Sequence, residues 1–378
     1  MTVWDDVVGQ EQAVATLRAA VENPSAMTHA WLVTGPPGSG RSVAARAFAA
    51  ALQCLEGGCG RCHACTTTLG GTHPDVTLVA TEKVIITVKE VRDLIGTAVR
   101  TPSQGRWRVI VVEDADRMAE QTTNVLLKSI EEPPPQTVWV LCAPSVQDVL
   151  PTIRSRCRGV VLRVPPAEAV AELLVRRDGA DPAVALSAAR AAQSHVGLAR
   201  RLARDAGARE RRTAVLGLAR RIRGVGDAVL AADELVNLAK EEARTATEER
   251  DAVERAELMR SLGVGEGETL PPKLRSQLRG LEEDQKRRAT RHQRDVLDRA
   301  MVDLLSLYRD VLVVQLGAEV ELVNEELAQT VRSLAADSTP EQTVRRMDAI
   351  AVARRRLEGN VAPLLALEAM AIALRPQG

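Results

Sequence analysis

Aromatic side chains are scarce. Phe, Trp and Tyr together make up 2% of the 378 residues, which argues against a surface that stacks successive nucleic-acid bases on rings and leaves Ala, Leu and Val to build the core. Net charge is missing as well: Lys+Arg and Asp+Glu are both 50, a formal balance of +0. Non-specific attraction to nucleic acid therefore has no whole-molecule field behind it, and any DNA contact requires a local patch. No apolar run approaches the roughly 20 residues that a membrane-spanning helix needs. The opening MTVWDDVVGQ lacks the basic and then apolar segments of a secretory signal. A cytoplasmic location without membrane contact is expected. The basic residues are overwhelmingly Arg, from which no function follows.

What is present describes a globular chain, with 45% hydrophobic and 26% charged residues, and a length that suggests two or three domains. The first distinctive stretch is GPPGSGRS, Gly35 to Ser42. In the phosphate-binding pattern G-x-x-x-x-G-K-[ST], glycines turn backbone N–H groups toward phosphate oxygens, Lys reaches the terminal phosphates and Ser or Thr holds Mg²⁺. Gly35, Gly38, Gly40 and Ser42 keep their places, but Arg41 stands where the lysine belongs. The apolar Ala30-Trp31-Leu32-Val33 before it reads as a buried strand and the Ala-rich Val43 to Leu52 after it as a helix whose N-terminus faces the anion. A planar guanidinium cannot take the place of a compact ammonium between two phosphates. Efficient ATP·Mg²⁺ chemistry is not expected at this site; weak nucleotide binding stays open.

Directly after that helix, CLEGGCGRCHAC sets Cys54, Cys59, Cys62 and Cys65 in a C-x4-C-x2-C-x2-C array. Four thiolates so close in sequence, spaced by glycines, can wrap one tetrahedral Zn²⁺ in a closed, structural site. Disulfides are the competing explanation, disfavoured in a reducing cytoplasm. His63 reads as a surface residue between ligands, although it can replace a cysteine; Cys142 and Cys157 are remote and read as buried strand or loop thiols.

A partner to a phosphate loop is a buried strand ending in acid, and RWRVIVVEDADRM supplies Val109 to Val112 followed by Glu113, Asp114 and Asp116. An ATPase of this class places Asp there to position Mg²⁺ and then Glu to polarise water. The order here is reversed, which shifts each carboxylate by one methylene, enough to matter for positioning. Acids that merely cap a helix starting near Ala119 are the alternative.

With these residues in hand, four segments resemble the successive signatures of bacterial clamp-loader subunits of the AAA+ class: WDDVVGQEQAVATL, HAWLVTGPPGSGRS, NVLLKSIEEPP and LPTIRSRCR. They span roughly the first 160 residues in the family's order, and the cysteine array is similar to the one those subunits carry. The resemblance implies a P-loop α/β domain with an inserted zinc module, a helical lid, and an all-α collar that joins five subunits in a ring. It implies as partners the tau/gamma ATPase subunits and the delta subunit, with the sliding clamp met indirectly and primer–template DNA through the assembled complex. A motor subunit of that family keeps Lys in the loop and Asp-Glu on the strand, and this chain keeps neither. The sensor position after the next strand falls in Ala143-Pro144-Ser145, where only Ser145 can serve. Ser155-Arg156-Cys157 is complete, however, and in the family this arginine is a finger that reaches the ATP of the neighbouring subunit. Arg154, Arg158 and Arg163 crowd the same segment and read as a solvated or DNA-facing set.

Domain limits follow composition: 1–165 for the α/β domain, 166–212 for the lid, 213–378 for the collar. In the lid, Gly197 and Arg200 resemble the family's second sensor, an arginine on ATP phosphate; with an empty site Arg200 becomes a structural contact. Arg209, Arg211, Arg212, Arg220, Arg221 and Arg223 describe either a phosphate-contacting helix or a solvated face. The stretch from Ala239 to Arg260 is charged and without an apolar stripe, so it reads as an exposed helix; a turn at 263–272 and a charged return arm suggest a helical hairpin over about 239–295, of unassigned partner. Val296, Ala300, Met301, Leu304, Leu305, Tyr308, Val311 and Leu312 form one helical stripe, and Thr339, Pro340 and Gln342 a helix start with a capping box. NVAPLLALEAMAIAL is apolar on nearly every side and needs cover from its own domain or from other subunits.

Two functional readings result. One is a largely non-hydrolysing subunit of a replicative clamp loader that lends Arg156 to a neighbour; the other is an active AAA+ motor whose arginine-bearing loop turns over ATP. A free-standing DNA-binding protein is a distant third, given the neutral charge and few aromatics.

Overall fold

The computed structural model describes residues 1–80, 85–261, 275–359 and 361–376; the turn expected at 263–272 lies outside them. The chain divides into two compact units, Met1–Arg204 and Asp205–Gly378.

The first unit carries, in chain order, α1 (Glu11–Glu22), β1 (Ala30–Thr34), α2 (Arg41–Gln53), α3 (His63–Leu69), β2 (Val76–Val79), α4 (Val88–Ala98), β3 (Arg108–Val112), α5 (Glu120–Glu131), β4 (Thr137–Ala143), α6 (Pro151–Arg154), β5 (Arg158–Val161), α7 (Ala167–Asp178), α8 (Pro182–Ala191) and α9 (Val196–Arg204). The strands lie in the order β2-β3-β4-β1-β5, every pair parallel. β1, β3 and β4 are buried along their whole length, as strands covered by helices on both faces must be, which is why they read as unbroken apolar runs. Alternate residues still serve opposite faces. Trp31, Val33, Val109, Val111, Val138 and Val140 share a core with the alanines of α2, whereas Leu32, Ile110, Val112, Trp139 and Leu141 share another with Leu126 and Ile130 of α5. Small alanines let α2 approach the sheet closely, and Phe48 meets Trp31 edge-on with centroids 5.1 Å apart. Thr34 pairs with Ala143, and Val112 with Leu141. The carboxyl ends of β1, β3 and β4 therefore meet at one edge, the place where open α/β sheets hold ligands.

One anchor gave no sequence signal. Asp75 is fully buried, and its carboxylate accepts from the backbone N–H groups of Ser103 (2.8 Å), Gln104 (2.7 Å) and Gly105 (2.6 Å) and pairs with Arg108 at 3.0 Å. Burial alone would raise its pKa, but the donors from Ser103, Gly105 and Gln104 outweigh it and hold the group at about 2. Because the folded value lies below the ordinary one, the stabilisation is complete above pH ~4 and is lost as pH falls toward ~2. Asp75→Asn is expected to cost about 2 kcal/mol at neutral pH and to flatten that acid-side slope; denaturant melts between pH 2 and 7 check it, and an unchanged slope would remove Asp75 from this role.

The described elements of the second unit are all helical: α10 (Ala206–Arg221), α11 (Val225–Ser261), α12 (Arg275–Gln315), α13 (Ala328–Ala336), α14 (Pro340–Glu358) and α15 (Pro363–Leu374), besides a short 3-10 turn. A lid–collar boundary at 212 falls inside α10, and the unit begins instead at Asp205. Arg212 is the physical reason. It is 8% exposed and reaches Asp303 (3.0 Å), Asn324 (2.5 Å) and Glu326 (3.1 Å), so it is neither a solvated nor a DNA-facing residue. Arg211 pairs with Asp205 and Glu242, and Arg221 with Glu234.

α11 and α12 run antiparallel: Glu242 meets Arg299, Asp251 and Glu254 meet Arg288, and Arg255 meets Glu282. Contrary to the sequence reading, the first arm does have an apolar stripe; Ala239, Ala243 and Thr247 are buried, and their small size hid it. The stripe from Val296 to Val311 is buried as expected, with Leu305 and Leu312 only partly so. Thr339 caps α14, its hydroxyl accepting from Gln342 N–H at 3.3 Å while Gln342 accepts from Thr339 N–H at 3.0 Å. α15 is covered within its own unit on the side of Leu367, Met370, Ala371 and Leu374, whereas Leu364 and Leu365 remain 38% and 62% exposed. No helix is long and apolar enough to cross a membrane among the described residues.

Candidate functional site

The loop between β1 and α2 has the form the glycines predict. Gly38 and Gly40 take positive φ, +86° and +89°, and Gly40 caps α2. Its chemistry is turned inward. The Arg41 guanidinium donates to the carbonyl of Gly35, the first residue of the same loop. Ser39 is 2% exposed, its carbonyl accepting from Gln10 Nε2 at 3.2 Å. Ser42 is half-buried at the start of α2. A Cβ placed on Gly38 would lie 2.7 Å from His195 Cα, so the turn that leads into α9 rests on the loop. That turn holds Gln193 and Ser194 at φ 47° and 64°, a left-handed pair that costs ordinary residues about 1–2 kcal/mol each.

The acids at the end of β3 are also engaged. Glu113 accepts from Arg46 Nε (2.9 Å) and Nη2 (2.7 Å), and Asp114 lies 3.8 Å from Arg117. Neither caps α5, whose N-cap is Ala119. Burial raises the pKa of Asp116, with the nearby Asp114 charge adding to it. Ser145 caps a short 3-10 turn through Gln147 N–H. In the lid, Arg200 is bound to the buried Asp178 of α7 through Nε (2.9 Å) and Nη2 (2.7 Å).

Arg156 stands elsewhere, in the turn after α6. Its Nη1 donates to Thr152 O (2.8 Å) and Ser155 Oγ (3.1 Å), and its Nη2 meets Glu131 of α5 at 2.6 Å. The pair is open to solvent, 39% and 43% exposed. Of its neighbours, Arg158 is exposed as expected, and it also donates to Ala26 O and lies over the Trp31 ring, 5.1 Å from the centroid. Arg163 is joined to Gln10 through its backbone.

Cys54, Cys59, Cys62 and Cys65 converge, with all four sulfurs within 4.8 Å of one another and none in a disulfide. Cys54 Sγ is 3.7 Å from both Cys59 Sγ and Cys62 Sγ. Metal–thiolate bonds of about 2.3 Å in a tetrahedron give sulfur–sulfur edges of about 3.8 Å, so the cluster fits a closed four-thiolate ion. Burial pushes Cys54 up, but backbone N–H groups of Cys59, Gly58 and Glu56 outweigh it and bring it to about 6; burial pushes Cys65 up. His63 is exposed and outside the cluster. Cys142 is buried in β4 and Cys157 half-buried, both thiols pushed up to about 12 by burial.

Arg46, Glu131, Asp178 and His195 escaped the sequence reading. Each acts by closing a contact over long sequence separation, for which no motif exists.

Comparison with known proteins bears on the assignment. A family model described as "DNA polymerase III, delta subunit" matches residues 9–166. DNA polymerase III subunit delta' of Pseudomonas aeruginosa is 38% identical over 50% of this chain, a match that spans 59% of the relative's own length. Subunit gamma/tau of Mycobacterium tuberculosis is 33% identical over 45% of this chain and 30% of its own. Subunit delta' of Bacillus subtilis is 27% identical over 89% of this chain and 87% of its own length. The family match lies on the first unit and the similarity to the Bacillus subtilis delta' subunit runs through both, so the chain is similar to DNA polymerase III delta' subunits, of which the Pseudomonas aeruginosa match spans about three-fifths of the relative's length.

Proposed function

We propose that this protein is a structural subunit of the replicative clamp loader that does not hydrolyse ATP and lends Arg156 to the ATP site of a neighbouring tau/gamma subunit. The delta subunit is the other partner in the ring, in the cytoplasm, and the sliding clamp and primer–template DNA are reached through the assembly. One contrast supports this reading: the groups that would serve a nucleotide are spent inside the unit, while the finger is presented to solvent. Arg41 is held by Gly35 O, Glu113 by Arg46 and Arg200 by Asp178, whereas Arg156 is exposed and its Glu131 partner is an ion pair of the kind worth at most about 1 kcal/mol. A guanidinium so lightly held is free to exchange a carboxylate for a phosphate, which offers the same fork geometry. The lid, ending at Arg204, and the helical collar from Asp205 onward keep their family roles in this reading. Zn²⁺ in the Cys54, Cys59, Cys62, Cys65 cluster is structural, because four thiolates leave no position for substrate or water.

The test is turnover of labelled ATP with Mg²⁺ by the purified, zinc-loaded chain. No turnover is expected from the wild type, and Arg41→Lys alone is expected to restore none, since Glu113 and Arg200 stay committed. Saturable turnover abolished by Asp114→Asn would identify the chain as a motor and overturn the proposal.

A further inference from the structure

The segment Met1–Gln10 touches three parts of the first unit in ten residues. At the cysteine loop, Val3 N–H donates to Gly58 O (3.0 Å) and the Trp4 indole N–H to Gly57 O (3.3 Å). A Cβ on Gly58 would lie 2.6 Å from Val3 Cγ2, so the loop is moulded on this segment. Val3, Trp4 and Val7 are 4%, 5% and 7% exposed. At the lid, Asp5 O accepts from Arg176 at 2.5 Å and Asp6 pairs with Arg177 at 3.3 Å, both arginines in the last turn of α7. At the P-loop, the buried Gln10 donates to Ser39 O (3.2 Å) and Arg163 O (2.6 Å) and accepts from Arg163 N–H (3.0 Å).

Such a segment, having no helix or strand of its own, owes its order to its partners. The loop that receives it has the same weakness. Cys54 to Cys62 contains no helix or strand and three glycines at positive φ, so its shape depends on whatever joins the four sulfurs. We infer that the metal held by Cys54, Cys59, Cys62 and Cys65 fixes Met1–Gln10 as a strap, and that the strap in turn anchors α7 through Asp5 and Asp6. The metal is thereby a positioning element for the lid, which it does not touch. Losing it frees the strap first and the end of α7 with it, while the sheet keeps its structure. The inference rests on metal binding by the cluster, which is measured separately.

The experiment is amide hydrogen exchange on the full chain, loaded with zinc and after removal by a strong chelator, with metal content followed by mass spectrometry. One zinc per loaded chain is expected. Removal should speed exchange about tenfold or more at the amides of Val3 and Val7, and at those of Gly179 and Ala180 that close the end of α7, while Val111 in β3 and Val140 in β4 keep their protection. Cys59→Ser should reproduce this without chelator. In an Arg176→Ala/Arg177→Ala chain, metal removal should still free Val3 but no longer alter α7. The inference is overturned if exchange rises only within 54–69, if β3 and β4 open together with the strap, if α7 responds equally in the double variant, or if no stoichiometric zinc is bound.

Discussion

If Arg156 is the finger proposed above, Arg156→Ala is expected to leave the reconstituted clamp loader assembled and to cut its ATP turnover at the neighbouring site by roughly 10³-fold or more, the range found for arginine fingers on phosphoryl transfer. Assembly should survive because Arg156 contributes little to its own unit: its partners are a carbonyl and a hydroxyl of its own turn and the half-exposed Glu131. Turnover should not, because charge spread over the transferring phosphoryl oxygens would lose a fixed cation in a site shielded from water. Arg156→Lys is expected to recover only a small part, since an ammonium cannot make the paired contacts of the guanidinium fork. Steady-state hydrolysis by the reconstituted loader, with native mass spectrometry as the control for assembly, decides the matter. A fully assembled ring with unchanged turnover would remove the finger from this chain.

The second large effect is on stability. Arg212→Ala should destabilise the second unit by about 3–5 kcal/mol, the usual consequence of stranding a buried charge. Three partners lose it at once, among them Asp303, which is 7% exposed. The pH dependence gives the mechanism away. Burial already raises the pKa of Asp303, with Arg212 the main opposing influence. Without the arginine that rise grows, so the folded chain binds a proton more readily than the unfolded one. Stability then falls as pH rises from the ordinary carboxylate value through the raised one, and acidifying toward pH 5 should recover part of the loss. Arg212→Ala/Asp303→Asn should be milder than the single change. Thermal melts across that pH range check both; a single variant within about 0.5 kcal/mol of wild type would mean the network is not structural.

The parallel sheet was legible because its strands are covered on both faces and so appear as apolar blocks, Ala30 to Val33 and Val109 to Val112, each followed by a diagnostic loop. The cysteine cluster was legible because its members are local in sequence. What could not be read was pairing across distance. Arg212 looked like one more basic residue in an arginine-rich helix, and nothing local to it announces Asp303, 91 positions away. The stripe of α11 was missed because Ala239, Ala243 and Thr247 are too small to register as an apolar face, though they suffice to seat one long helix on another. Asp75 gave no signal since three of its donors are backbone N–H groups, which every sequence possesses, and its ion-pair partner Arg108 is remote in sequence.

The three glycines of the loop have a bearing on how such sequences are recognised at large. A side chain at Gly35 would begin 2.6 Å from Ser39 Oγ, one at Gly38 would press on the backbone of His195, and Gly40 holds a φ of +89°. Each is demanded by the protein's own packing or geometry, with no ligand in the account. A search for the loop glycines alone will therefore return chains whose own packing requires them, whatever the loop binds. On the role proposed here, the informative letter is the one between the glycines and the serine, where Arg41 stands.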